Sequence, residues 1–340
     1  MVARSSAHCQ IEAAASDAWQ RELGQAFTRV DPLLAFLGLR RDQVPGLDPE
    51  PGPFRLLVPR GFAALMRAGG PADPLLRQVL PLAAERVLTP GFRCDPVGDG
   101  PAAQAPGLLR KYAGRALLMA RGACAVHCRY CFRRHFPYGD FGAYDARIGI
   151  ALAQIQADTT LHEIILSGGD PLLLADGALV DLLARLAAIP HVRRLRLHSR
   201  LPLVLPSRIT ARLCALLRTV TPRPVLVIHA NHARELGAAA QAGLAALGAA
   251  GVTLLNQSVL LRGVNDDAAT LAALSERLFD CGVLPYYLHQ LDPVQGAAHF
   301  AVSDREARGL MAALRARLPG YLVPRLVRET AGAPCKEPLG

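Results

Sequence analysis

Three cysteines stand close together in Cys124-Ala-Val-His-Cys128-Arg-Tyr-Cys131. Thiolates at such short, unequal gaps can wrap one small, soft metal centre. Zinc ordinarily takes four ligands, often as two separated Cys-x2-Cys pairs. No second pair follows here, although His127 or His135 could complete a zinc knuckle. Three cysteines on a cubane iron–sulfur cluster would instead leave one iron open to a substrate or cofactor. On ligand spacing alone the two metals stand level. Cys9, Cys94, Cys214, Cys281 and Cys335 are scattered, as free thiols are in a reducing compartment.

A second chemical hint lies in the choice of base. Of 38 basic residues, only Lys111 and Lys336 are lysine; the rest are arginine. In a chain so rich in Ala, Leu, Gly and Pro this reads as codon bias, with arginine taking lysine's surface duties. A retained lysine then marks a place that needs an amine, because a guanidinium neither gives up its proton nor condenses with a carbonyl. The net charge of +10 suits phosphates, carboxylates, nucleic acid or an acidic protein, and selects none of them. With 51% hydrophobic and 19% charged residues, wholesale disorder is excluded.

These side chains need a scaffold, and the 340 residues supply enough apolar material for one large domain or a core with an appendage. Residues 1–105 alternate helical patches (Ala13–Leu37, Arg60–Ala68, Pro74–Val87) with Pro/Gly-rich joints, the last running into DPVGDGPAAQAPG. From Arg115 onward, apolar runs at 116–120, 163–168, 194–199, 224–230, 252–261 and 284–290 alternate with segments of helical spacing. Repeated strand–helix units of this length predict a parallel sheet covered by helices, an α/β fold. A (β/α)6 barrel or open part-barrel suits six tandem units at least as well as a doubly wound sheet. Polar residues gather where these strands end: Ser167–Asp170, His198–Arg200, His229–His232, Gln257 and His289–Asp292. Parallel folds carry their sites on that edge. The uncharged stretch Leu236–Leu261 holds Gln241, Asn256 and Gln257 among its alanines, so it predicts a buried helix and strand rather than a membrane span. With no apolar signal core near the N-terminus, a soluble cytoplasmic protein is expected.

The cysteine motif, with Tyr130 before its last cysteine and set after the first strand of such a run, resembles the radical S-adenosylmethionine enzymes. The segments KYAGRALL, CRYCFRRHF, ILSGGDPLLL, LHSRLPLVLPSRIT, NQSVLLRGVND, PYYLHQLDPVQGAAHF and VPRLVRETAGAPCK narrow it. From about residue 90 onward the chain is similar to the lysine 2,3-aminomutase family. Its nearest likeness there is to short bacterial members that supply (R)-β-lysine for modification of elongation factor P. The resemblance implies a radical-enzyme core shaped as a (β/α)6 partial TIM barrel over 106–320. An N-terminal helical region would precede it, and a C-terminal lid over 321–340 would carry the pyridoxal phosphate lysine. The implied reaction is migration of the 2-amino group of L-lysine to C3.

Residue by residue, the resemblance implies that Cys124, Cys128 and Cys131 hold a [4Fe-4S] cluster. Tyr130, Gly168, Gly169, Asp170, His229 and Gln257 fall where the family contacts S-adenosylmethionine. Lys336 falls at the lysine that carries pyridoxal 5'-phosphate and is catalytic, with Arg115 and Lys111 near the phosphate. Arg133 would hold the substrate carboxylate as a forked pair, and Asp292 and Glu329 the side-chain ammonium. Glu329 departs from the family's aspartate, which keeps the charge and reshapes the pocket. The long members' zinc-binding tail and tetramer are not carried over. The partners implied are L-lysine, an electron donor, and a pathway link to elongation factor P and its lysine ligase, with neither membrane nor nucleic acid. Other expectations stay open: an aminomutase for arginine, ornithine or glutamate, or a non-enzymatic zinc- or nucleic-acid-binding protein.

Overall fold

The computed structural model describes residues 18–48, 52–141 and 143–339. Each apolar run forms a strand at its expected place: β3 (Arg115–Arg121), β4 (Glu163–Gly168), β5 (Arg194–Ser199), β6 (Val225–Ile228), β7 (Thr253–Val259) and β8 (Leu284–His289). They pair parallel in chain order. The helices between them follow the spacing read from sequence: α5 (Tyr144–Ala157), α6 (Asp176–Ala187), α8 (Ala211–Thr219), α9 (Ala238–Ala249), α10 (Ala268–Asp280) and α11 (Asp304–Arg317), with the short α7 (Leu201–Val204) added after β5. Their caps are local. Thr210, Asp267 and Ser303 each accept a backbone N–H of the first turn, and Ser303 with Glu306 closes a reciprocal capping box. The result is the expected α/β part-barrel.

The parallel sheet also runs one strand further than the sequence indicates. β9 (Arg325–Arg328) pairs parallel with β8, and β10 (Glu337–Pro338) lies antiparallel on β9. Four residues with no helix after them carry no strand–helix signature. At the other edge β1 (Ala103–Ala105) and β2 (Leu108–Tyr112) extend β3 in antiparallel fashion. The joint at 95–107 therefore contains a strand and carries the buried Asp99. No helix among the described residues is long and apolar enough to cross a membrane; Leu236–Leu261 forms α9 and β7.

The N-terminal patches are shorter than their apolar spacing implies. The stretch drawn as Ala13–Leu37, whose first residues lie outside those described, contains α1 (Ala18–Gly24) and α2 (Val30–Phe36). Between them Phe27 breaks the helix to bridge Val58. Arg60–Ala68 forms α3 only over Arg60–Ala63. The patch from Pro74 holds α4 (Pro74–Arg77), started by Asp73, which accepts the N–H groups of Leu75 and Leu76. Trp19, Phe62, Leu75 and Leu76 share one hydrophobic core with Leu201, Leu203 and Leu244 of the barrel layer. Phe62 is fully buried in it. Phe62→Ala is expected to cost about 3–5 kcal/mol. In urea, Trp19 fluorescence and far-ultraviolet dichroism should shift together; separate transitions would mean the two regions unfold independently.

Candidate active site

Strand ends from β3 to β9 converge on a cavity of about 300 Å³. Every site residue that the family resemblance implies, from Lys111 to Lys336, contributes to its wall.

One end is sulfur-rich. Cys124, Cys128 and Cys131 lie half-buried on the loop after β3. Burial raises the Cys124 thiol well above its usual range, and the neighbouring thiols add to it. Cys131 is pushed to about 11 by burial and then by Cys128. Among the described residues no three His, Cys, Asp or Glu converge tightly enough for a single ion. The three cysteines share one wall of the cavity.

Glycine builds the loop beside them. Gly168 has φ +107°, open to glycine alone, and a Cβ on Gly169 would stand 2.0 Å from the Ala123 carbonyl oxygen. The N–H of Gly169 donates to the Arg121 carbonyl at 2.7 Å, and that of Asp170 to Ala123 at 2.8 Å. The close approach these glycines permit is thus to the cysteine loop itself. Asp170 holds the next loop in turn, its carboxylate accepting from Ser199 Oγ at 2.8 Å and from the N–H of Arg200 at 2.9 Å. Burial raises it to about 6 against these bonds. Tyr130 is buried, and its hydroxyl is occupied by Gln78 and Asn231. Asp170 and Tyr130 position the wall more than they offer free polar atoms to a ligand.

The middle is neutral and nitrogen-rich. Gln257 Nε2 lies 2.9 Å from His229 Nε2. Burial first, then nearby cations, drives His229 down to about 3 and His198 and His289 well below their ordinary value. These imidazoles are uncharged at neutral pH. The Nε2 atoms of His198 and His289 are buried without a partner.

The far end is a chain of charge. Arg133 Nε donates to Asp99 Oδ2 at 2.6 Å, and Lys111 Nζ forms an ion pair with Asp99 Oδ1 at 2.6 Å. Lys111 also reaches Glu329 Oε1 at 2.9 Å, while Lys336 Nζ binds Glu329 Oε2 at 2.5 Å. Burial alone would raise Glu329; Lys336 and Lys111 outweigh it and hold the carboxyl at about 2. Asp292 is different. Burial, and then Glu329, lift it to about 7, and its Oδ1 has no partner. Arg115 stacks on the Tyr112 ring, with its Nε and the Tyr112 hydroxyl unpartnered.

Arg133 carries Asp99 on its Nε, and Glu329 is gripped by both lysines. Asp99 itself escaped notice because a lone aspartate in a Gly/Pro-rich joint carries no periodic signal. Arg200 stood only within a polar strand end, yet its Nη1 lies 2.7 Å from Cys128 Sγ and its Nη2 2.8 Å from Glu235.

No family model matches the chain. Relatives named L-lysine 2,3-aminomutase do. That of Escherichia coli strain K12 is 50% identical over 94% of both chains. That of Haemophilus influenzae is 48% identical over 83% of this chain and 84% of that protein. The Clostridium subterminale protein is 33% identical over 94% of this chain and 77% of its own. The chain belongs to the L-lysine 2,3-aminomutase family. Among solved structures, Streptococcus suis SuiB bound to S-adenosylmethionine superposes with a TM-score of 0.47 at 10% identity, over 64% of this chain and 51% of that one.

L-lysine 2,3-aminomutases are radical S-adenosylmethionine isomerases that use a [4Fe-4S] cluster and pyridoxal 5'-phosphate, and the residues present fit all three groups. Three soft donors share one wall for the cluster. Neutral imidazoles, Gln257 and the bare Gly168–Gly169 backbone surround space beside it. At the charged end an amine, Lys336, faces the same cavity as the unpartnered Arg115 Nε and Tyr112 hydroxyl, a set suited to an aldehyde bearing a phosphate. For this aminomutase Gly169→Ala should displace the cysteine loop. Iron and sulfide content after anaerobic reconstitution should fall well below wild type; an unchanged content would mean the loop tolerates the shift.

Proposed function

We propose that this chain converts L-lysine to β-lysine by moving the 2-amino group to C3. The observation that carries this is the joint placement of three cysteines and the near-unique lysine Lys336 on one cavity wall. The identity of up to 50% with enzymes of that name supports the substrate. When bound, the cluster with S-adenosylmethionine supplies reversible removal of a hydrogen atom, and pyridoxal phosphate supplies the carbonyl that holds the migrating nitrogen.

The chain's residues place and protect the substrate. Arg133, anchored through Nε by Asp99 and touching Ser167 Oγ at 3.5 Å through Nη1, turns its Nη edge to the carboxylate. Asp292, with an unpartnered Oδ1, is the acceptor for the side-chain ammonium. Glu329 adds negative charge through a carboxylate already shared by two lysines. A cationic side chain suits this end better than that of glutamate. The neutral histidines leave the middle free of fixed charge, and the enclosed wall keeps water from reactive species. The cluster cysteines, Lys336, and the contacts of Arg115 and Lys111 with the phosphate belong to the same proposal. We further infer that the β-lysine serves the modification of elongation factor P through its lysine ligase in the cytoplasm, with an electron donor feeding the cluster.

The test is anaerobic turnover of L-lysine with reconstituted cluster, S-adenosylmethionine, pyridoxal phosphate and a strong reductant, resolved by chromatography and mass. β-Lysine that vanishes in Lys336→Ala supports the reading. Cleavage of S-adenosylmethionine without β-lysine, or turnover of arginine, ornithine or glutamate instead, overturns the substrate. The pH dependence of binding follows from Asp292. A carboxyl lifted to about 7 is neutral below that pH and loses its pull on an ammonium. Lysine affinity, read by calorimetry, should therefore weaken as pH falls through about 7. Asp292→Asn should bind weakly throughout and flatten the profile.

A further inference from the structure

Arg200, between β5 and α7, is 5% exposed and divides its guanidinium among three groups. Nη1 lies 2.7 Å from Cys128 Sγ, while Nη2 donates to Glu235 Oε2 at 2.8 Å and to Gln78 Oε1 at 2.6 Å. Its backbone N–H donates to Asp170 at 2.9 Å, so the residue is tied at both ends. The Phe62 and Tyr130 rings face the guanidinium from 5.4 and 5.7 Å. An arginine cannot shed its proton to ease burial, so this charge is permanent.

Glu235 fixes the direction of the fork. It is fully buried. Its other oxygen accepts from the N–H groups of Asn231 and His232 at 2.9 and 3.1 Å and from Gln78 Nε2 at 3.1 Å. A carboxylate held by so many donors pins Nη2 and leaves Nη1 aimed at the sulfur. The ion pair is neutral as a whole and presents its positive end to Cys128. Cys131, by contrast, faces the neutral backbone N–H of Arg133. Among the described residues Cys128 is the one of the three cysteines with a guanidinium at hydrogen-bond distance from its sulfur.

We propose that Arg200 sets the reduction potential of the cluster held by Cys128, keeping it higher than the three cysteines alone would. This rests on the reading of Cys124, Cys128 and Cys131 as cluster ligands. One-electron reduction, fed by an external low-potential donor, adds negative charge that spreads over the ligating sulfurs. A charged N–H donor on one sulfur stabilises the reduced form more than the oxidised form, and hydrogen bonds to the sulfurs are among the levers that set such potentials. No proton moves, because the guanidinium keeps its own. Glu235 is the positioning residue for Arg200. Gln78 brings the N-terminal region into the same device, since its amide meets both partners of the ion pair.

The experiment is a poised redox titration of the anaerobically reconstituted full chain without S-adenosylmethionine, read by visible absorbance and by the electron paramagnetic resonance of the reduced cluster. A midpoint potential does not depend on the fraction of protein loaded, so incomplete reconstitution leaves it readable. Arg200→Lys keeps a cation for Glu235 but has no second arm for Cys128. Its midpoint should fall by about 59 mV, a tenfold loss of the reduced form at a given potential. Glu235→Asp keeps both charges and draws the guanidinium back from the sulfur, so its midpoint should fall too, by less. Should Arg200→Lys hold no cluster, Glu235→Asp carries the test. An unchanged or raised midpoint in the variant so measured overturns the proposal. Loss of all iron from both variants also overturns it, leaving Arg200 as a support for the loop alone. A wild-type chain that takes up no iron and sulfide would instead overturn the cluster reading, a distinct result.

Discussion

Buried charge is the constraint around which the cavity is arranged. An ion removed from water must find opposite charge close by, and losing one partner of such a pair costs about 3–5 kcal/mol. Here Arg133, Asp99, Lys111, Glu329 and Lys336 form one unbroken chain of contacts between 2.5 and 2.9 Å. It draws in the joint before β1, strands β2 and β9, the cysteine loop and the segment before β10. No one of these segments could keep its charged residue buried without the others. The same chain leaves Asp292 outside the pairing, and so able to receive a ligand's cation.

A second set of contacts steadies the sulfur end from behind. Arg200 joins Cys128, Gln78 and Glu235, and Gln78 comes from the N-terminal helical region. Arg129 and Arg134 close on Glu85 in another buried group. The N-terminal residues thus share both a hydrophobic core and polar contacts with the barrel. The cysteine loop is fixed between them and the glycine turn after β4.

Much of the fold was legible in the sequence. Strands β3 to β8 and the helices between them follow from apolar periodicity, which depends on neighbours in the chain. β9 was missed because four residues hold too little pattern, and the helix drawn through Phe27 failed because the Phe27 backbone pairs with that of Val58. In the site, the cysteines and Lys336 stood out through their chemistry and rarity. Asp99 did not, since aspartate in a polar joint looks like any turn residue until a partner from another segment is beside it.

Sequence by itself determined which chemical groups the protein possesses, the order of its strands and helices, and the family motifs that order them, because these depend on residue type and local spacing. Tertiary structure alone decided how those groups are paired: which edge of Arg133 is taken, which glycine contacts the cysteine loop, and which carboxylate remains unpartnered. Lys111 and Glu329 are 218 residues apart in the chain. Their interaction depends on distance in space, set only when the parallel sheet brings strand ends together. A sequence displays the charges, and folding decides how they are neutralised.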